Sequence, residues 1–242
     1  QPIPVSTDAA NIFVAMRVAN DHPGGGTPGT VYLCYSDGTN IYVISSNNHG
    51  ATFNSPVQVN NPADPVTKVN LLPWIAAGPT QGTVGIVWYG TDHQGNDDNA
   101  RWRVYYAQSF NADATTPTFR IAQASDHSIH ASNISLKGLP LTGTAPNRNL
   151  IDYFQVNIDP QGAAVIGYTD DHSDFNGHTF ISRQISGPSL NGGTLPAVVE
   201  GSALPAQPFP IPGAPPPTVG SQIPQPLQPG PLRVVAVQPT PP

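Results

Sequence analysis

The feature of this sequence that most constrains its fold is an internal repeat of three glycine-led apolar segments. In chain order they occupy residues 29–37, 82–92 and 162–170. Each segment begins at a glycine, runs through apolar residues to Tyr35, Tyr89 or Tyr168, and ends in a polar stretch with an aspartate. Self-similarity at such spacing is typical of architectures in which every copy contributes one small structural unit.

Further strand-like segments flank each copy. Before the glycines lie residues 11–20, 71–77 and 150–158; after the aspartates lie residues 41–45, 102–109 and 179–185; and residues 57–59 and 119–122 supply a fourth segment in the first two units. The chain has 29 Pro, 23 Gly and only 10% charged residues, which favours short strands joined by turns. We therefore expect an all-β protein of the β-propeller type, with about three four-stranded antiparallel blades.

A turn motif follows the third segment of the first unit. Residues 46–53 read Ser-Asn-Asn-His-Gly-Ala-Thr-Phe and fit the pattern S-x-[D/N]-x-G-x-T-[W/F]. Asn48 can hydrogen-bond amides of its own turn and Gly50 can adopt a positive φ. Ser46 and Thr52 can close the hairpin, and Phe53 is expected to fill the core of the unit. The motif predicts a folding device. A partial copy lies at residues 109–113.

With residues 72–91 and 148–171, this motif resembles the bacterial Asp-box (BNR-repeat) sialidase-like β-propeller proteins. The resemblance covers about residues 11–186. It implies a six-bladed propeller, of which this chain holds the three C-terminal blades.

The resemblance also allows a test for catalysis. It implies an arginine triad, a tyrosine nucleophile assisted by glutamate, and an acidic aspartate, yet the only glutamate here is Glu200 in the proline-rich tail. A tyrosine without a base is a weak nucleophile. The remaining catalytic candidates are Arg148, Asp152 and Tyr153, and a structural ion pair explains them as well. We expect a non-catalytic structural or binding subunit of a larger assembly. The alternative is an exo-sialidase-type glycoside hydrolase completed by residues outside this chain.

Two polar loops carry candidate metal ligands. Oxygen-rich loops suit Ca²⁺, although hairpin tips are also rich in Asp and Asn for turn reasons. The candidates are Asp92, Asp97, Asp98, Asp170, Asp171 and Asp174. No other cofactor is expected.

The composition changes at about residue 187. Residues 1–186 form the predicted blades, and residues 187–242 hold 16 of the 29 prolines and only two charges. Such a segment favours extended polyproline conformation and builds no core of its own. We expect this extended tail to dock on partner chains. We expect the exposed flanks of the blades to contact partner chains as well. The candidate partner-binding residues are Phe209, Ile211, Val234, Val235 and Val237. Residues 234–237 could add as an edge strand to a sheet, either of this chain or of a neighbouring chain.

Charge and hydropathy exclude two classes of partner. The net charge is −6 with no basic cluster, so nucleic-acid binding is not expected. No apolar run approaches the ~20 residues of a membrane-spanning helix. Few charges, many Asn and Thr, and a start at Gln1 predict an extracellular, periplasmic or cell-surface location, where a glycan is a further candidate ligand.

Overall fold

The structure is a computed structural model that describes residues 14–21, 29–60, 67–136, 148–150, 154–171, 178–195 and 233–237. Within these ranges the protein is all-β, with thirteen strands in three antiparallel sheets. The same ranges contain no helix long and apolar enough to cross a membrane. The predicted all-β class is confirmed, and each repeat unit forms one sheet.

The first sheet is a meander whose strands lie in chain order. It consists of β1 (Ala15–Val18), β2 (Val31–Ser36), β3 (Ile41–Ser46) and β4 (Val57–Gln58), each antiparallel to the next. Burial alternates along the first residues of β2 and β3, whereas Tyr35 and Ile44, on the face away from the second sheet, are buried as well.

The second sheet repeats this order and lies in the middle of the molecule. Its strands are β5 (Val69–Ala77), β6 (Val84–Thr91), β7 (Arg101–Ser109) and β8 (Arg120–Gln123), and the two-residue strand β9 (His130–Ala131) pairs with the start of β7. Every residue of β6 is buried. Its continuous apolar sequence therefore belongs to a strand that is covered on both faces.

The third sheet takes its last strand from the proline-rich tail. Its strands are β10 (Gln155–Ile158), β11 (Ala164–Asp170), β12 (His178–Ser186) and β13 (Arg233–Val237), again in chain order. Strand β13 is antiparallel to β12, with Val234 opposite Gln184 and a register shift next to it. Of the two alternatives for residues 234–237, the structure shows pairing with a sheet of this chain. The candidates Phe209 and Ile211 lie outside the described residues.

The outer sheets pack on either side of β5, the first strand of the middle sheet. Strand β5 contacts β1 and β2 on one side and β10 on the other. One apolar core lies between the first and second sheets and includes Tyr32, Cys34, Ile86 and Trp88. Another lies between the second and third sheets and includes Tyr89, Tyr106, Tyr168, Phe180 and Val234. The middle sheet is thus covered on both faces, and each outer sheet has one face that does not contact the middle sheet.

The face of β1 that points away from the second sheet is apolar. Val14, Met16 and Val18 alternate along the strand with the inward-facing Ala15 and Ala19, and they are 49%, 53% and 58% exposed. We call these three side chains the β1 outer row.

Candidate functional site

The turn after β3 is closed by its own polar side chains. Ser46 Oγ accepts a hydrogen bond from the Gly50 amide at 2.9 Å and donates to Asn48 Oδ1 at 2.9 Å. Asn48 Oδ1 also accepts from the Thr52 amide at 2.9 Å, while Asn48 Nδ2 donates to Thr52 Oγ1 at 2.8 Å. Gly50 has φ 83°. We call this arrangement, with Ser and Asn two positions apart after a third strand, the Ser-Asn turn.

The second sheet has a Ser-Asn turn of its own. The Asn111 amide donates to Ser109 Oγ at 3.1 Å, and Ser109 Oγ donates to Asn111 Oδ1 at 3.2 Å. Asn111 Oδ1 also accepts from the amide and hydroxyl of Thr118. The partial motif at residues 109–113 therefore keeps the bonding of the full one, although its threonine comes later in the chain.

A third Ser-Asn turn follows β12 and was missed in the sequence. The Asn191 amide donates to Ser189 Oγ at 3.1 Å, and Gly193 follows with φ 79°. The spacing Ser189, Asn191, Gly193 repeats that of Ser46, Asn48, Gly50 and was the available signal. The surrounding prolines obscure this signal, because their density is typical of the tail predicted for residues 187–242.

In the second and third sheets the Ser-Asn turn packs on the glycine turn that joins the first two strands. The Ala112 amide donates to Gly82 O, and the Leu190 amide donates to Gly162 O, both at 2.8 Å. A Cβ on Gly82 would lie 2.7–2.9 Å from atoms of residues 110–113, which explains the glycine there.

The expectation that Phe53 fills the core is wrong: it is half-buried outside both apolar cores, and its ring lies beside Gly50.

A buried histidine–aspartate pair joins the second sheet to the third. His130 Nδ1 lies 2.6 Å from Asp171 Oδ2, and His130 Nε2 lies 3.1 Å from the Asn133 carbonyl oxygen. Both side chains are almost fully buried. The pair therefore stabilises the packing of the two sheets.

A second histidine lies between two carboxylates nearby. His127 Nδ1 is 2.6 Å from Asp126 Oδ1, and His127 Nε2 is 2.7 Å from the buried Asp170 Oδ2. Burial lowers the pKa of His127, but the two facing carboxylates outweigh burial and the pKa is raised above its ordinary value. Asp170 and Asp171, predicted as metal ligands, are thus each in contact with a histidine.

The catalytic candidates are only partly described. Arg148 precedes Asn149, whose Nδ2 donates to Asp171 Oδ2 at 3.1 Å, so this segment adjoins the histidine–aspartate pair. Asp152 and Tyr153 lie outside the described residues. The tyrosines that end the repeat segments belong to the core, where burial raises the pKa of Tyr89 and brings that of Tyr168 to about 12. At neutral pH these phenols are protonated.

The carboxylates of the other candidate metal loop hold that loop together. Asp97 contacts His93 Nε2 at 3.0 Å, and Asp98 accepts from Ser132 Oγ at 2.7 Å and Asn133 Nδ2 at 3.0 Å. Asp92 is exposed, and Asp174 lies outside the described residues. In the described part of the chain, no three His, Cys, Asp or Glu side chains are grouped to hold a metal ion. Calcium binding stays a prediction.

An open groove lies beside a bulge of β5. Leu71 pairs with Tyr89 and Trp74 with Val87, so β5 has an extra residue there, and Leu72 has φ 51°. The groove has a volume of about 300 Å³. Its lining residues are Trp74, Phe154, Gln155, Gly167, Tyr168, Thr169 and Thr179. The bulge thus places an aromatic side chain next to the third sheet.

Comparisons of the chain with family models, with curated proteins and with solved structures give no significant match.

Proposed function

We propose that this chain is a non-catalytic, sialidase-like β-propeller module that serves as a structural or binding subunit of an extracellular or periplasmic assembly. Its three meanders of four strands in chain order, with the outer two packed on either side of β5, support the propeller arrangement. The Ser-Asn turns support the likeness to Asp-box proteins, because their side chains form hydrogen bonds inside each turn and hold the structure of the hairpin.

The observation that carries the binding role is the β1 outer row. Opposite Met16 and Val18 on the same face lie Leu33 and Val31 of β2, both half-buried, so the apolar surface extends over two strands. The middle sheet, built in the same way, has both faces covered. A contiguous apolar face left in water marks an interaction site. We propose that another protein segment covers it as the second sheet covers the opposite face.

Native mass spectrometry of the protein isolated from its own source tests this role. We expect an assembly heavier than the 25.4 kDa chain. Met16→Glu should release the subunit, because a charge cannot be buried unpaired in an apolar contact. Thr39→Glu, at an exposed position in the β2–β3 turn, is the matched control and should leave the assembly intact. A wild-type protein found only as the 25.4 kDa monomer would contradict the proposal.

The hydrolase alternative is favoured only by the position of Arg148 next to the segment that contacts Asp171. Hydrolysis of a fluorogenic sialoside by the native assembly separates the two functions. We expect no turnover above background. Turnover that falls by orders of magnitude in Arg148→Ala would establish the hydrolase and remove the non-catalytic proposal.

A further inference from the structure

We propose that the groove beside Trp74 binds a neutral sugar ring. This inference adds a ligand and a site to the proposed binding function, and it does not depend on the β1 outer row.

The groove is built on the free face of the third sheet. Gln155 pairs with Gly167, and Thr169 pairs with Thr179, so these four residues lie side by side on the face that points away from the middle sheet. A Cβ on Gly167 would meet nothing within 4 Å. The missing side chain therefore leaves open space in the sheet surface, and the threonines and the glutamine border it.

Trp74 forms the aromatic wall of this space. Its position follows from the bulge in β5, and strained or bulged backbone is a common way to re-aim a side chain at a binding site. The Arg17 guanidinium lies over the indole, 5.2 Å from the ring centroid, and fixes its orientation. The buried indole N–H finds no acceptor among the described residues.

The chemistry of the lining selects the ligand class. Among the described residues that line the groove none is charged. Arg17 lies against the indole, where it donates to the Met16 carbonyl oxygen, and is not part of the lining. A charged ligand would therefore lose water without a counter-ion in the lining. Two threonine hydroxyls and one amide offer both donors and acceptors, as the hydroxyls of a sugar require. The apolar C–H face of a pyranose fits against an aromatic ring. A volume of about 300 Å³ is at the lower end for ligand sites and suits a single ring.

The fluorescence emission of Trp74 can also report ligand binding in the groove. Trp88 and Trp102 are fully buried in the cores, whereas Trp74 is half-buried at the groove. All three tryptophans of the chain are described, so a change in tryptophan emission on adding a ligand reports chiefly on Trp74. Sugars with a neutral ring, lactose and chitotriose, are the probes. Sialyllactose tests a charged sugar, and decaproline tests a polyproline peptide.

We expect the neutral sugars to change the emission of the full chain saturably. Gly167→Leu fills the groove from an ordinary strand position and should weaken binding at least about tenfold while the protein stays folded. Asn157→Leu adds the same side chain to the same face outside the groove and should bind as wild type. Trp74→Ala should abolish binding, as measured by NMR of the sugar.

Three results would overturn the proposal. The first is the absence of any response to the neutral sugars. The second is equal binding to wild type and Gly167→Leu, which would place the ligand elsewhere. The third is a response to sialyllactose or decaproline that exceeds the response to the neutral sugars. None of these results bears on the mass of the native assembly, so this inference and the proposed function fail separately.

Discussion

The residues in the least ordinary environments are two histidines between the second and third sheets, each with acceptors at both ring nitrogens. Asp170 and Asp171 are adjacent in the chain and fully buried, and each contacts a different histidine. Buried carboxylates are costly unless they are paired. These contacts therefore couple the C-terminal end of β11 to the segment after β8 that includes β9.

We expect the stability of the protein to fall as the pH rises above the ordinary histidine value of 6.5. The pKa of His127 is raised in the folded state, so its protonated form stabilises the fold at pH below the unfolded value, and this contribution is lost as the pH passes the folded pKa. His127→Gln should flatten the slope. Urea unfolding at a series of pH values measures it, and identical slopes in both proteins would show that the contacts with Asp126 and Asp170 do not persist in solution.

The sequence could not have predicted these pairs. It placed Asp170 and Asp171 in a polar loop and suggested metal ligands, because carboxylates that are close in sequence resemble an oxygen-rich site. His130 lies far from Asp171 in the chain, and only the packing of β9 near the end of β11 brings them together. The bonding capacity of Asn48 was readable, in contrast, because every partner lies within its own turn.

At the scale of elements, the last strand of the third sheet is separated from its neighbour by residues 187–232. Val234 is buried in the core between the second and third sheets, and β13 also contacts β8. Part of the segment predicted as a partner-docking tail therefore contributes to the fold of this chain. Without β13, the backbone of β12 would present an unpaired edge.

Truncation after residue 232 tests the contribution of β13. We expect the free energy of unfolding to fall by at least about 2 kcal/mol, because the truncated protein loses one buried valine and the hydrogen bonds of a strand pair. The open edge of β12 should also cause self-association. Urea unfolding and light scattering measure the two effects. Truncation after residue 237 is the control, and equal stability of both truncated proteins would show that β13 adds nothing to the fold.

Strand positions were the most predictable part of the fold. Residues 84–89 and 41–45, for example, lie within β6 and β3. The apolar stretch and its bounding glycine mark a strand whatever surrounds it. Strand β9 has two residues, too few for a pattern, and β13 was ambiguous because an apolar tetrapeptide does not specify which edge it pairs with. The groove at Trp74 depends on a bulge in β5, and no residue pattern in β5 predicts that bulge.

At the scale of the whole molecule, the three sheets differ in how much of their surface is enclosed. The middle sheet is covered on both sides, whereas the first sheet exposes the β1 outer row and the third exposes Ile181. Repeat counting predicted about three four-stranded blades. Which faces are covered depends on what lies beyond the outer sheets, and that is not encoded within any one repeat.

The rates of amide hydrogen exchange should be lowest in the sheet whose faces are both covered and higher in the outer sheets. We expect the slowest exchange in β6, which is hydrogen-bonded to β5 and β7 and buried throughout, and faster exchange in β1 and β13 at the sheet edges. Mass spectrometry of peptides from the exchanged native protein measures the ranking. Uniform protection would show that the three sheets open as one unit, and slower exchange in β1 than in β6 would contradict the expected ranking.

The late position of β13 has a consequence for synthesis. A chain emerges from the ribosome in order, at about 5–20 residues per second. The first two sheets can form as soon as their consecutive strands appear, but β12 must wait for residues 187–232 to be translated before its partner exists, a delay on the order of seconds. During that interval the newborn protein carries an open strand edge. Thirteen of the 46 residues that fill the interval are prolines, which lack a backbone N–H. These prolines interrupt any ladder of hydrogen bonds that this sequence could form with the edge, which favours pairing with β13.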